Sequence, residues 1–261
     1  MDVDCRPLSP ALSFVCNLCG AANEACALDR IDRDLPSCST CGSTVRLRSI
    51  IHLVSSALFG ESLALPDFPQ RKTVVGIGLS DSPLYAGGLA RKLAYTNTYL
   101  DQEPRLDLAK PPPALLATCD FVISADVFEH VLPPATRAFR AAYNLLKPGG
   151  ALILTVPYVA AGETVEHFPH LRDFRLVEME GAYVMVELDA AGGYRLHTDL
   201  VFHEGPGRTL EMRVFSQAGV LRELREAGFG EIEVFSEPYP RWGIRNKCPW
   251  SLPILARRPR R

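Results

Sequence analysis

The sequence predicts an α/β fold, a mostly parallel sheet covered by helices, preceded by a small cysteine-rich module. Three observations carry that expectation. Two Cys-x-x-Cys pairs lie near the N-terminus. From Lys72 onward, short apolar runs alternate with amphipathic stretches. The chain then closes on a helix, a glycine turn and two more apolar runs. Such alternation is the pattern of parallel strands joined by crossover helices.

The bulk numbers bound the problem. A chain of 261 residues holds one α/β domain plus an appendage. Hydrophobic residues at 47% and charged residues at 22% exclude the disordered and collagen-like classes. No apolar run approaches the roughly 20 residues a membrane-spanning helix needs. Met1-Asp2-Val3-Asp4-Cys5 is acidic where an export signal is basic and then apolar, so the expected location is cytoplasmic. The net charge of −2 and pI near 6.3 argue against nucleic-acid binding as the main task. The basic tail, Arg257, Arg258, Arg260 and Arg261, reads as a solvated chain end. Cys5, Cys26, Cys119 and Cys248 are scattered and are expected to be reduced thiols.

Cys16-Asn17-Leu18-Cys19-Gly20 and Cys38-Ser39-Thr40-Cys41-Gly42 are two knuckles at the spacing of a ribbon-type metal site. Each glycine gives its turn the freedom to bring both thiolates to one ion. Four thiolates, Cys16, Cys19, Cys38 and Cys41, form the tetrahedral set zinc prefers and leave no open position, so the zinc is expected to be structural. A piece of about 40 residues has too small a core to fold unaided, and metal binding supplies the difference. Apolar residues at helical spacing (Ile50, Ile51, Val54, Ala57, Leu58) predict a helix over 43–59. Arg46 and Arg48 are expected on its solvated face, with phosphate contact as the other reading. The module and helix are placed at 1–60, a linker at 65–70, and the main domain at 71–261.

In the main domain, strands are predicted at 73–77, 94–99, 121–124, 151–156, 232–235 and 252–256, and helices at 83–92, 134–146 and 216–227. Gly76 and Gly78 close the first strand, followed by Leu79-Ser80-Asp81-Ser82. Such a turn lets a ligand approach the backbone closely. It is no dinucleotide fingerprint, because Asp81 stands where the third glycine of G-x-G-x-x-G belongs.

The block Cys119-Asp120-Phe121-Val122-Ile123-Ser124-Ala125-Asp126-Val127-Phe128-Glu129-His130-Val131 is followed by a helix and then Lys147-Pro148-Gly149-Gly150-Ala151-Leu152-Ile153-Leu154-Thr155-Val156-Pro157. Together they resemble the class I S-adenosylmethionine-dependent methyltransferase family over roughly residues 72–256. The resemblance implies a Rossmann-like sheet with its last strand reversed, S-adenosylmethionine as cofactor, and Gly76, Gly78, Ser80, Asp81, Asp101, Asp107 and Asp126 as its contacts. Asp101, or Glu103 behind it, stands where the family's ribose-binding acid lies; Asp107 resembles the adenine-contacting acid after the third strand. His130 looks like the histidine of the family's Glu-His-Val turn, which shapes the cofactor site. The chain departs from the family at the cofactor loop. The usual acid two residues before the first glycine is absent, and Asp81 is the candidate substitute.

A long insertion at about 158–215 is expected to lie over the strand ends, where an acceptor enters, with a hairpin near 184–188 and 194–196. It holds His167, His170, His197 and His203, four of the six histidines. A hydroxyl acceptor calls for a general base, and His167, then His203, are the candidate catalytic residues. A metal held by His167 and His170 with Glu166 or Asp173 is a further reading. The expected partner is a sugar, glycan or other small-molecule acceptor. RNA methylation and a non-catalytic protein whose zinc module binds a partner stay open as alternatives. A nicotinamide-dependent oxidoreductase is disfavoured by the loop spacing.

Overall fold

A computed structural model describes residues 11–188, 192–203, 205, 207–247 and 250–260. Cys5, Cys248, Arg261 and the acidic N-terminal residues fall outside these. The chain opens with an antiparallel hairpin, β1 (Ala11–Val15) and β2 (Ala22–Ala27), and helix α1 (Val45–Phe59). Thr44 caps α1, its hydroxyl accepting from the Leu47 amide at 3.4 Å. The main domain runs β3 (Arg71–Leu79), α2 (Pro83–Lys92), β4 (Leu93–Thr98), β5 (Cys119–Ala125), α3 (Thr136–Leu145) and β6 (Leu146–Thr155). The insertion contributes β7 (Tyr158–Val159), β8 (Val165–Glu166), β9 (Phe174–Met179), β10 (Ala182–Leu188), β11 (Tyr194–His197) and β12 (Arg213–Ser216). Helix α4 (Gln217–Ala227), β13 (Ile232–Val234) and β14 (Ile254–Arg257) close the chain.

The central sheet has the order β13-β14-β6-β5-β3-β4. Strands β3 to β6 are parallel to their neighbours, while β14 runs antiparallel to both β6 and β13, giving the expected reversed last strand. Side-chain alternation assigns the two faces. Phe121, Ile123 and Ile153 pack with Ile50, Ile51 and Val54 of α1 and Tyr85 and Leu89 of α2. Val122, Leu152 and Leu154 pack with Phe139 of α3 and Val220 and Leu224 of α4. The N-terminal helix therefore shares its core with the sheet. Of these helices, none is long and apolar enough to cross a membrane among the described residues.

Two expectations are corrected. The likeness of Asp107 to an acid after the family's third strand implies a strand between β4 and β5, although the residues themselves predict none there. Residues 99–112 instead form turns, held by Tyr99 N–H to Pro104 O at 3.0 Å and Leu106 N–H to Tyr99 O at 2.8 Å, so β4 is the sheet edge. The segment has Pro104 and Pro111 to Pro113, which cannot donate to a ladder. Nor are Arg46 and Arg48 on a solvated face. Arg48 is wholly buried, donating to Ser43 O at 2.8 Å, Ser37 Oγ at 2.9 Å and Gly243 O at 3.0 Å, with its guanidinium over the Phe14 ring. It is the bolt between the module and the C-terminal segment. Arg46 is bound into the ion-pair network described below.

Strands β9 to β11 form a three-stranded antiparallel sheet over a small core of Phe168, Leu171, Met185, Leu210 and Met212. The insertion is tied down at its C-terminal end. Arg213 is fully buried, donating to Phe128 O at 2.7 Å and Glu166 Oε1 at 2.8 Å, and the Met212 amide donates to Glu129 O at 2.9 Å. These bonds hold the insertion against the turn that follows β5.

Candidate active site

The chain leaves β3 toward β4 on one side and returns through β5 on the other, so the order reverses between β3 and β5. In open α/β sheets, ligands bind in the crevice at the carboxyl ends of such strands. The residues at these two ends are unusual. Ser80, just past β3, and Asp126, just past β5, both have left-handed backbones, at φ 53° and φ 56°. Non-glycine residues pay about 1 kcal/mol or more for that conformation, and it concentrates at functional sites.

Asp81 follows Ser80 and is almost completely buried. Its Oδ2 accepts from the Tyr95 hydroxyl at 2.5 Å, its backbone is clasped by the Asn97 amide at 2.8 and 2.9 Å, and its Oδ1 has no partner. Burial pushes its carboxyl up to about 7, against the partial opposition of the Tyr95 and Tyr85 hydroxyls and the Arg46 guanidinium. The two glycines make room for this arrangement. A Cβ on Gly78 would lie 1.9 Å from the Tyr95 hydroxyl and 2.2 Å from Asp81 Oδ2. One on Gly76 would lie 2.1 Å from the Phe121 ring. Both glycines thus have a packing role on the α1 face of the sheet.

The raised Asp81 value carries a stability consequence. The unfolded carboxyl ionises near 3.8 and the folded one near 7, so its favourable contribution is complete below about pH 4 and lost as pH rises to 7. Asp81→Asn keeps an oxygen for Tyr95 and removes the buried charge. It is expected to raise stability at pH 8, by at most about 4 kcal/mol, with little change at pH 4. Urea denaturation at the two pH values reads this directly.

Asp126 is held by the N-terminal module. Arg33 donates to both of its oxygens at 2.7 and 2.9 Å, Thr155 Oγ1 donates at 2.9 Å, and Arg46 Nη1 lies 3.4 Å away. Asp34 bridges the same two arginines at 2.6 and 2.8 Å. The module thereby sets two guanidinium groups over the ends of β3 and β5.

On the insertion side, both histidines chosen from the sequence meet one carboxylate. His167 Nε2 lies 2.9 Å from Glu211 Oε1, and His203 Nε2 lies 2.9 Å from Glu211 Oε2. An ionised carboxylate only accepts, so each histidine donates from Nε2 and keeps its lone pair on Nδ1. His130 packs edge-on against His203, ring centroids 4.7 Å apart, and its Nδ1 meets Leu210 O at 2.9 Å. Glu129, beside it, is buried with neither carboxylate oxygen bonded. Burial, then the nearby Asp126, push its carboxyl up to about 8.

The four module sulfurs also converge. Cys16 and Cys41 Sγ are 3.7 Å apart, as are Cys19 and Cys38, and all four lie within 4.8 Å of one another. Arms of about 2.3 Å to a tetrahedral centre give sulfur separations of about 3.8 Å, so the donor set fits zinc. Gly20 and Gly42 have φ 81° and 71°, as the knuckle turns require.

The remaining candidates sit apart from these bonds. Asp101 is exposed beyond β4. Glu103 Oε2 accepts from the Arg105 amide at 3.0 Å and Asp107 Oδ1 from the Ala109 amide at 2.8 Å, both local turn bonds. His170 is exposed, Glu166 is committed to Arg213, and no grouping of His167 with His170 occurs among the described residues that could hold a metal. His197 pairs with Glu187 at 2.8 Å. Sequence reading missed Glu211, Arg33 and the isolation of Glu129. The Glu-His pair was visible after β5, but nothing local marks Glu211 or Arg33.

Residues 60–154 match the family model of a methyltransferase domain. No curated protein matches the chain. Among solved structures, an S-adenosylmethionine-dependent methyltransferase from Mesorhizobium loti is 17% identical, covering 79% of this chain and 100% of its own, with a TM-score of 0.42. The 1,6-didemethyltoxoflavin-N1-methyltransferase of Burkholderia thailandensis is 16% identical, covering 88% and 97%, with a TM-score of 0.43. A sugar N-methyltransferase from Streptoalloteichus sp. is 13% identical, covering 84% and 89%, with a TM-score of 0.46.

Proposed function

We propose, from the premise that the chain carries a class I S-adenosylmethionine-dependent methyltransferase domain, that it methylates a hydroxyl of a neutral sugar, glycan or similar small acceptor. The observation that carries this reading is the pair of imidazoles oriented by Glu211 beside the end of β5. The sulfonium cofactor, when bound, supplies an activated methyl group. The protein's part is to hold the acceptor in line, exclude water and take the hydroxyl proton. With Nε2–H fixed on Glu211, the Nδ1 atom of His167 is a free base, oriented as a carboxylate orients histidine in hydrolytic triads. His203 shares the carboxylate and is the second candidate.

The cofactor's amino-acid end carries both charges, and the crevice offers both. Arg46 suits its carboxylate. Asp81, with an unpartnered buried oxygen, suits its ammonium and replaces the missing acid of the family loop. Ser80 and Asp126 border the same crevice. Gly76 and Gly78 keep the floor low, Asp101 is the ribose candidate, and Asp107 the adenine candidate. Structural zinc on Cys16, Cys19, Cys38 and Cys41 belongs to the same reading, since the module delivers Arg33 and Arg46.

Acceptor charge separates the sugar reading from RNA. Glu211 is the acidic group beside the two imidazoles, and it disfavours a phosphodiester there. Methyl-labelled S-adenosylmethionine offered with a panel of neutral glycosides and with total RNA is expected to label a glycoside alone. Label in RNA would overturn the choice of acceptor.

A further inference from the structure

Beside the proposed base lies a second constellation that methyl transfer does not require. One ligand atom of each of Glu129, His130 and His203 lies within 4.8 Å of the others. Glu129 is 1% exposed, and neither oxygen has a hydrogen-bond partner. Oε1 lies 3.6 Å from His130 Nε2. Two buried carboxyl oxygens without a hydrogen-bond partner are an uncompensated polar group that a bound cation would satisfy.

The histidines are prepared to supply the remaining ligands. His130 Nδ1 faces the carbonyl of Leu210, which can only accept, so Nδ1 carries the hydrogen and the lone pair sits on Nε2, the atom next to Glu129. His203 Nε2 donates to Glu211, leaving the lone pair on Nδ1. A ring N–H bonded to a carbonyl on one histidine and to a carboxylate on the other is the outer arrangement that metal-binding imidazoles use. The turn itself is fixed, because Glu129 O accepts from Met212 N at 2.9 Å and Phe128 O from Arg213.

We propose that Glu129, His130 and His203 bind one divalent first-row transition cation beside the turn that follows β5, distinct from the four-cysteine site. Two imidazoles and one carboxylate suit manganese, iron, cobalt or zinc and leave open positions for oxygen ligands. An acceptor hydroxyl taken into one of them becomes more acidic. His203 then serves as a ligand and proton acceptance falls to His167, with Glu211 orienting both. That bearing on catalysis rests on the methyl-transfer reading; the binding itself does not.

The test is titration of the full-length, zinc-loaded protein with Mn2+, followed by electron paramagnetic resonance. Mn2+ is a hard ion that competes poorly for thiolates, so the cysteine site stays out of the signal. The expected result is one Mn2+ per chain. Glu129→Gln and His203→Asn should each weaken it by about tenfold or more, and Glu211→Gln, which removes an outer partner, by about tenfold. S-adenosylhomocysteine titrations of the same samples separate this inference from the methyltransferase reading. Cofactor-product binding without stoichiometric Mn2+ binding overturns the cation site and leaves the methyltransferase reading standing. Mn2+ binding unchanged in both Glu129→Gln and His203→Asn also overturns it. Mn2+ binding lost in these variants, without cofactor-product binding by the wild type, supports the cation site and sinks the methyltransferase reading.

Discussion

Glu211→Gln is expected to lower kcat by about two to four orders of magnitude while leaving affinity for S-adenosylhomocysteine within about threefold of wild type. The substitution is nearly isosteric, but an amide cannot accept from both imidazoles while remaining the anion that stabilises a protonated one. His167 and His203 lose the bond that sets their tautomer, at 2.9 Å each. The cofactor contacts proposed here, Asp81, Asp126 and Arg46, lie on other elements and form other bonds. Steady-state kinetics with a labelled glycoside acceptor, beside calorimetry with the product cofactor, read the two halves of the prediction. His167→Ala should match Glu211→Gln in kcat. The two substitutions combined should cost little more than either alone, because they disable one unit.

The second large effect is structural. Cys38→Ser is expected to abolish zinc binding and to lose most or all of the folded protein at 37 °C, because metal binding energy in such a module is folding energy. The damage does not stop at the hairpin. Arg48, Ile50, Ile51 and Val54 continue the module into the main core, so a collapsed module exposes one face of the central sheet. Arg33 and Arg46 are also released from Asp126. Metal analysis with thermal unfolding of the wild type and variant checks this. One zinc per wild-type chain and a large fall in Tm on substitution are the expected results, and removal of zinc by a strong chelator should reproduce the fall.

The sheet was legible in the sequence where the signal is local. Short apolar runs broken by Gly and Pro put helix 83–92 at its observed bounds, and the Lys-Pro-Gly-Gly stretch put the end of the next helix at 146, one residue past Leu145. The cysteine knuckles were legible because chemistry fixes their spacing. The hidden features are long-range. Arg33 meets Asp126, and Arg48 meets Gly243, across separations that no residue pattern encodes. Arg46 and Arg48 looked like a solvated face because arginine usually is one; ion pairs and backbone carbonyls overrode that habit. Gly76 and Gly78 announced a close approach, yet the sequence could not say that Phe121 and the Tyr95–Asp81 pair were among the groups approaching. No strand is predicted from the residues between 99 and 119, and none forms there; Pro104 and Pro111 to Pro113 break that stretch.

The most direct test of the account is calorimetric titration of the zinc-loaded protein with S-adenosylhomocysteine, run beside Asp81→Asn and Asp101→Ala. Asp101 is exposed, which makes its alanine variant a probe of binding with little expected cost to the fold. The account predicts micromolar binding by the wild type, weakened about tenfold or more in each variant, with Asp81→Asn folded and more stable at pH 8. A folded wild-type protein that binds no S-adenosylhomocysteine would contradict it.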